Sequence, residues 1–399
     1  MDRVPATWKA RVTSNFIAAY GAIADGVTPK TSSDRRKYWT HWCRYSALFG
    51  IDPFLTNTPP LERDAVVCAF AAKVRTGVYG KGNQVKVQTV TDALSAISQT
   101  IQLAGERSAI YRNDQKQYNL AIERLVEGFR RSDPPATPQL AVPVAVANTS
   151  FEAGLQSQNH QTEATGCLTI IAFYFLLRVG EYTKPRFTTR GGKRIPATRT
   201  KQFTYNNVGF FRDGKIIPRT STLSILLSCD SATLKITNQK NGCMGDTIHQ
   251  KATGNANCPI RALAYRINHI NENGGTHDDH LLCDYYMDGK WLSVVSADII
   301  LMVRTSAKLL GLHKQGIDPD LIGAHSLRAG GAMALRLHGF EDTVIMKMGR
   351  WTSLTFLQYI HTQIAHLSED ISRKMSMPLP FLNIASIEGE PHTMLVTNA

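Results

Sequence analysis

A group of residues near the C-terminal end of the sequence could carry out chemistry on a phosphodiester. His325 and Arg328 are three residues apart, so on a helix they share one face. Trp351 follows a Gly-Arg pair, and Tyr359 comes eight residues after the tryptophan. Arginine binds anionic phosphate oxygens, histidine can accept a proton, and a phenol can attack phosphorus. The set therefore predicts covalent chemistry on a phosphate ester.

The surroundings of Tyr359 favour an accessible hydroxyl. If residues 354–367 form a helix, Leu357, Ile360 and Ile364 cluster on one side. With 100° per residue, Tyr359 lies roughly 120° from the centre of that cluster, on the flank of the helix. A phenol has a pKa near 10, so its attack needs bound arginines and a proton acceptor such as His325.

The sequence resembles the tyrosine recombinases, or phage-type integrases, at these positions. His-Ser-Leu-Arg-Ala-Gly-Gly from His325 onward, and Gly-Arg-Trp followed by Tyr-Ile, are most similar to the DIRS-like and Crypton-like recombinases of eukaryotic mobile elements. The resemblance is strongest over residues 320–365. It places Trp351 where family members carry His or Trp, although an indole donates a hydrogen bond and cannot shuttle a proton. At the more common family spacing the sequence has Arg350, which leaves the role of that arginine open.

The resemblance also implies site residues upstream. Arg178 ends a strongly apolar helix, where a charge is costly unless it is paired or used. By resemblance it is a second phosphate clamp, supported through hydrogen bonds by Glu181; an ordinary Arg–Glu pair at a helix end is the alternative. A catalytic lysine on a β-hairpin is expected to donate a proton to the leaving 5′ oxygen. Lys240 precedes the hairpin-forming pair Asn-Gly and is favoured over Lys235 and, more weakly, Lys215.

The charge distribution predicts a nucleic-acid partner. The chain has 399 residues, a formal net charge of +13 and a pI of about 9.4, which favours polyanions. Residues 178–266 hold 16 Lys/Arg against 4 Asp/Glu, and residues 1–150 hold 19 against 12.

One segment, 184–201, has seven basic residues and no acidic one, and we expect it to contact the DNA backbone. A solvated loop is the alternative. The expected DNA-binding residues are Lys184, Arg186, Arg190, Lys193, Arg194, Arg199 and Lys201 here, Arg35, Arg36, Lys37 and Arg44 near the N-terminus, and Arg350.

The hydrophobic pattern predicts a mostly α fold with a small antiparallel β-sheet (α+β). Helical periodicity dominates residues 1–131, and residues 132–149 read as a proline-rich extended linker. An apolar helix over 163–181 opens the second domain, and short strands follow over 203–240. The resemblance divides the chain into a helical core-binding (SAM-like) domain (1–131), a linker (132–149), a tyrosine-recombinase catalytic domain (150–377) and a tail (378–399).

Other classes of protein fit less well. No apolar run reaches the roughly 20 residues of a transmembrane helix, and the N-terminus has no apolar signal core, so neither a membrane location nor secretion is expected. Cys229, Cys243, His249 and Cys258 lie close in sequence, but their spacing matches no common zinc finger, and free thiols are expected. No metal or other cofactor is predicted.

The resemblance implies an enzyme that exchanges DNA strands at specific sites through a 3′-phosphotyrosyl bond. The covalent bond conserves the phosphate energy, so neither ATP nor a metal ion is required. Four copies are expected to act on two double-stranded DNAs, in the nucleus of a eukaryotic host or otherwise in the cytoplasm. Two alternatives stay open: a type IB topoisomerase, which relaxes one duplex as a monomer, and a DNA-binding protein derived from a mobile element that does not cleave.

Overall fold

The computed structural model of the protein is mostly helical with small antiparallel sheets, which confirms the predicted fold class. Two large hydrophobic cores are present, one in the N-terminal helices and one in the rest of the chain. In the part described, no helix has the length and apolar character needed to cross a bilayer. The structure describes residues 6–108, 110–113, 116–134, 140–190, 192–198, 200–238, 245–275, 280–354 and 357.

The N-terminal part of the chain contains α1 (Ala6–Asp25), followed by a bundle of α2 (Pro29–Ala47), α3 (Pro60–Arg75), α4 (Val87–Leu103) and α5 (Leu120–Ser132). Residues from α2 to α5 form the core, where Trp42 is fully buried and its indole N–H donates to the Pro53 carbonyl at 2.8 Å. Helix α2 begins after Thr28, whose hydroxyl oxygen accepts the Thr31 N–H. The predicted helical bundle is therefore present.

A buried ion pair anchors the end of this bundle. Arg75 donates to the carboxylate of Asp133 and to the Val85 carbonyl. The second carboxylate oxygen of Asp133 accepts the Val87 N–H at 2.8 Å. The residues that begin the predicted linker are thus fixed to the connection between α3 and α4.

A second core forms around α6 (Val144–Gln156) and α7 (His160–Tyr174). Residues 164–173 of α7 are all buried, as expected for a helix that is apolar on every side. The two helices pack closely, because a Cβ on Gly166 would lie only 2.6 Å from the Ser150 carbonyl oxygen. The described residues also form α8 (Val179–Tyr182), α9 (Leu223–Leu227), α10 (Pro259–Glu272), α11 (Ser296–Leu309), α12 (Ser326–Leu337) and α13 (Asp342–Gly349).

The strands form antiparallel units. Hairpin β1 (Phe187–Arg190) with β2 (Lys193–Pro196) comes first, and hairpin β7 (Asp284–Met287) with β8 (Lys290–Ser293) comes last. Between them, β3 (Val208–Arg212), β4 (Lys215–Ile217), β5 (Ser231–Lys235) and β6 (Thr247–Lys251) form one sheet of order β4-β3-β5-β6. The Gln250 side chain on β6 donates to the Tyr174 carbonyl at 2.6 Å, so the sheet is tied to the end of α7.

Two predicted boundaries differ from the observed ones. The helix predicted over 163–181 ends at Tyr174, because Leu176 has a left-handed φ of 49°, and a helix resumes only at Val179. Leucine rarely adopts this conformation, so the sequence carries no turn signal there. Helix α6 begins at Val144, directly after Pro143 and inside the residues predicted as linker.

Candidate active site

Arg178 and Glu181 are joined at the start of α8. The backbone N–H of Arg178 donates to Glu181 Oε2 at 2.9 Å, and its Nη1 donates to Oε1 at 3.3 Å. The Glu181 side chain is 2% exposed, whereas that of Arg178 is 19% exposed. A buried carboxylate therefore orients an arginine that solvent can still reach.

The break between α7 and α8 creates a shared acceptor. The Leu176 carbonyl oxygen accepts from Arg328 Nη1 and from Arg350 Nη2, the latter at 3.0 Å. A carbonyl oxygen has two lone pairs, so it can accept both hydrogen bonds. The two arginines are 152 and 174 positions after Leu176 in the sequence. Their hydrogen bonds to one oxygen hold both segments at the end of α7.

Helix α12 carries Arg328 into the same cluster. His325 directly precedes the helix and Arg328 lies in its first turn, so the two are about one helical turn apart. Arg328 is 2% exposed and also donates through Nη2 to the Gly349 carbonyl. Its guanidinium carbon lies 4.1 Å from the ring centroid of Trp351, a cation–π contact. The guanidinium is thus held by two carbonyls and an indole ring.

Two glycines let α12 approach the segment before α6 and the end of α7 closely enough for these contacts. A Cβ on Gly330 would lie 2.1 Å from the Val142 carbonyl oxygen. A Cβ on Gly331 would lie 2.4 Å from the Phe173 carbonyl oxygen. Both distances are far inside van der Waals contact. The Gly-Gly pair that follows Arg328 therefore serves the approach of two backbones.

The Gly-Arg-Trp segment ends α13. Arg350 adopts a left-handed conformation, with φ 57° and ψ 43°, which terminates the helix. Gly349 has no space for a side chain, since a Cβ would lie 1.6 Å from the Trp351 ring. Arg350 Nη2 donates to Glu181 Oε2 at 3.0 Å, and the two side chains are 4% and 2% exposed. The segment thereby connects the Arg178 region to the Arg328 region.

The position of Arg350 corrects one prediction. The sequence leaves the role of Arg350 open and places it among the expected DNA-binding residues, but its guanidinium is buried against Glu181 and the Leu176 carbonyl. The left-handed turn directs the side chain into the protein.

The candidate lysines have different positions. Strands β5 and β6 pair from Ser231–Lys251 to Lys235–Thr247 and flank the connection that contains Lys240. Lys240 itself lies outside the described residues. Its alternatives Lys235, at the end of β5, and Lys215, on β4, are both exposed. Tyr359 and most of the helix predicted around it also lie outside the described residues.

The basic segment 184–201 contains the β1–β2 hairpin, where a loop was expected. Arg194 stacks on Phe187, with its guanidinium carbon 4.3 Å from the ring centroid. Strand β1 comes close to α2, which carries the N-terminal basic residues. The exposed basic side chains of this segment are those of Lys184, Arg186, Arg194 and Lys201, and those on α2 are Arg36, Lys37 and Arg44. Arg35 is half-buried. The backbone of Arg190 and Lys193 lies in the strands, and Arg199 is outside the described residues.

The residues considered for zinc do not form a site in the described part of the chain. Cys229 and Cys258 are buried free thiols, and His249 lies on β6. Cys243 is outside the described residues. Within the ranges that are described, no three His, Cys, Asp or Glu residues are grouped so as to hold a metal ion.

Comparisons with known proteins give matches among solved structures. No protein-family model matches the chain, and no curated protein matches it. The site-specific recombinase XerH, in a post-cleavage complex with a palindromic difH substrate, is 14% identical with a TM-score of 0.45, over 80% of this chain and 74% of that one. The Tn1549 transposon integrase bound to transposon right end DNA is 11% identical, with a TM-score of 0.40, over 79% and 85%.

XerA recombinase is 14% identical with a TM-score of 0.36, over 90% of this chain and 97% of that one. All three matches combine low identity with a TM-score below 0.5. Over most of its length, the chain is thus similar, at this modest level, to recombinases and integrases of known structure.

Proposed function

We propose that the protein cleaves and rejoins DNA as a site-specific recombinase or integrase, with Tyr359 forming a covalent 3′-phosphotyrosyl intermediate. The observation that supports this most is the convergence of Arg178 and Arg328 on one cluster. They come from segments 150 positions apart and are connected through Glu181, Arg350 and the Leu176 carbonyl. Arginines fixed in this way suit a phosphodiester, since their planar forks match its anionic oxygens.

In the proposed reaction, the Tyr359 oxygen attacks phosphorus, and the bond from phosphorus to the 5′ oxygen breaks. His325 accepts the phenolic proton, and Lys240 donates a proton to the departing 5′ oxygen. The two arginines stabilise the charge that develops on the non-bridging oxygens. A fixed donor of this kind contributes about 3 kcal/mol to the transition state. The 5′-hydroxyl of a partner strand then reverses the step, so rejoining needs no ATP.

The two arginines have different surroundings and, in this proposal, different tasks. Arg178 is partly exposed and is the first to meet the phosphate. Arg328 lies deeper, beneath Trp351, where a lower dielectric strengthens its field at the scissile phosphate. The indole keeps the guanidinium plane in one orientation, which is the role that we assign to Trp351 in place of proton transfer.

We also propose the wider setting that the family resemblance suggests. The partner is double-stranded DNA, which the β1–β2 hairpin and α2 contact. Four copies of the protein act on two duplexes. The element is a mobile one of the DIRS-like or Crypton-like kind, which in a eukaryotic host acts in the nucleus. The net charge of +13 supports the DNA partner.

Trapping of a covalent adduct tests the proposal. The DNA site can be selected from a random pool by binding, and a duplex of that sequence can be nicked close to the cleavage position. Loss of the short fragment then leaves the enzyme on the DNA. We expect a denaturant-resistant, protease-sensitive adduct in which the 3′ end is linked to Tyr359, as identified by mass spectrometry.

The same material separates the alternatives. Exchange of strands between two labelled duplexes supports a recombinase, whereas relaxation of a supercoiled plasmid without exchange would indicate a type IB topoisomerase. Binding with no adduct on any nicked substrate would contradict the proposal and indicate a DNA-binding protein that does not cleave.

The basic hairpin gives a quantitative prediction about DNA binding. Replacing both Arg186 and Arg194 by Ala removes two exposed charges, and each phosphate contact contributes about 0.9 to the slope of log K against log salt. We expect the negative slope to become shallower by about 1.8 and the affinity to fall for every DNA sequence. Fluorescence anisotropy from 50 to 200 mM salt, or about that range, measures both.

A matched control removes two exposed lysines elsewhere, Lys290 on β8 and Lys314 after α11. It has the same change in net charge as the hairpin variant. Equal slopes for the two variants would show that the hairpin makes no particular phosphate contacts.

A further inference from the structure

Arg350 makes two buried contacts that the proposed chemistry does not itself use. Its Nη2 lies 3.0 Å from both the Leu176 carbonyl oxygen and Glu181 Oε2. Its own φ is 57°, and the φ of Leu176 is 49°, so two residues that carry a side chain occupy the left-handed region. Unfavourable backbone conformations are kept where the surrounding structure requires them, often at functional sites.

A purely stabilising role accounts poorly for this arrangement. A buried Arg–carboxylate pair loses hydration, and replacing such a pair by apolar residues is often neutral or stabilising. Here the pair is 4% and 2% exposed and also needs a left-handed turn at Arg350. The contacts are better explained by what they do to Arg178.

We propose that Arg350 is a positioning residue of the strand-cleaving site, acting on Arg178 through Glu181. The inference rests on the proposed function. Glu181 Oε2 accepts from Arg350 and from the backbone of Arg178, and among the described contacts the guanidinium of Arg178 meets Glu181 at Oε1. The Arg178–Glu181 pair is held in this one-point form. A carboxylate free of Arg350 can turn to bind the fork of Arg178 at two points, which is the geometry that a phosphate needs.

Arg350 also couples the two arginines that would bind phosphate. It shares the Leu176 carbonyl with Arg328 and the Glu181 carboxylate with Arg178. A displacement of the Leu176 carbonyl or of the Glu181 carboxylate therefore affects both Arg178 and Arg328. This places Arg350 among residues that set geometry and not among those that contact DNA.

The test compares Arg350→Met with the wild-type protein on the nicked substrate. Methionine is unbranched and apolar, so it occupies the space of the arginine stem but cannot bind Glu181. We expect DNA affinity within about threefold of wild type and single-turnover adduct formation slower by about 100-fold. Adding Glu181→Gln to Arg350→Met should restore about tenfold of the rate, since a neutral amide competes less for Arg178 than a carboxylate does.

A matched control is Arg336→Met. Arg336 pairs with Asp342 at 3.0 Å and connects α12 to α13, but the side chains are 41% and 36% exposed. We expect its cleavage rate to stay within about twofold of wild type, because exposed ion pairs contribute little. A structural role for Arg350 alone would predict loss of rate in proportion to loss of folded protein, and no recovery with Glu181→Gln.

Arg350→Lys keeps the inference testable if the methionine variant does not fold. Lysine retains the charge but cannot match the planar fork of arginine, and we expect about a tenfold slower rate with unchanged DNA affinity. Wild-type rates in the folded Met or Lys variant would overturn the positioning role. Absence of an adduct with the wild-type protein would instead overturn the proposed function, so the two failures are distinguishable.

Discussion

Replacing Tyr359 by Phe is expected to abolish the covalent protein–DNA adduct while leaving DNA binding intact. The change removes only the attacking oxygen, so the rate of strand cleavage should fall by more than about 1,000-fold. The affinity for duplex DNA depends mainly on basic groups that remain, and should stay within about twofold. Adduct formation on the nicked substrate and anisotropy with an intact duplex measure the two quantities.

Tyr182→Phe is the informative control, because Tyr182 is the tyrosine next to Glu181. Its side chain is 1% exposed, and its hydroxyl has no hydrogen-bond partner among the residues described. Burial raises the pKa of this phenol well above its ordinary value, with a further contribution from the Glu181 charge, so it is a poor nucleophile. If the Tyr359→Phe variant still formed the covalent adduct and the Tyr182→Phe variant did not, Tyr359 would not be the nucleophile.

Gly331→Ala is expected to weaken the packing of α12 on α7 strongly. The added methyl group would lie 2.4 Å from the Phe173 carbonyl oxygen and 2.3 Å from Leu176 Cδ2. The leucine side chain can move, but the carbonyl belongs to a buried helix, so α12 must shift away from α7. We expect the free energy of unfolding to fall by about 3 kcal/mol or more. Thermal denaturation should show the midpoint lower by on the order of 10 °C.

Gly323→Ala serves as its control, since a Cβ there meets nothing within 4 Å. Its midpoint should stay close to that of the wild-type protein. Equal midpoints for Gly331→Ala and the wild type would mean that the close approach of α12 to α7 is not required. Loss of adduct formation in partly folded Gly331→Ala would be expected too, because Arg328 moves with α12.

Periodicity and residue type were enough to predict the broad features of the fold. The apolar run from residue 164 to 173 is a buried helix, and β5 and β6 flank the turn expected at Lys240. Local sequence preferences dominate such elements, so the sequence pattern alone predicts them. The family resemblance implies that Glu181 supports Arg178 through hydrogen bonds, and the two side chains are 3.3 Å apart.

Features that depend on contacts between residues far apart in the sequence could not be predicted in this way. The residues around Leu176 give no sign of its left-handed conformation. Its carbonyl accepts hydrogen bonds from arginines that reach it only when α12 and α13 have packed against α7. The β1–β2 hairpin is polar on both sides and lacks a clear alternation of apolar residues, so it resembled a loop. The inward direction of Arg350 follows from a turn whose angle the sequence does not reveal.

The C-terminal end of α7 is the point to which several later segments of the chain are attached. The Tyr174 carbonyl holds strand β6, and the Leu176 carbonyl holds two arginines. These attachments all lie between residues 174 and 350 and involve nothing from the N-terminal bundle. A different N-terminal bundle can therefore be joined to this part of the chain without changing the hydrogen bonds that hold Arg328 and Arg350.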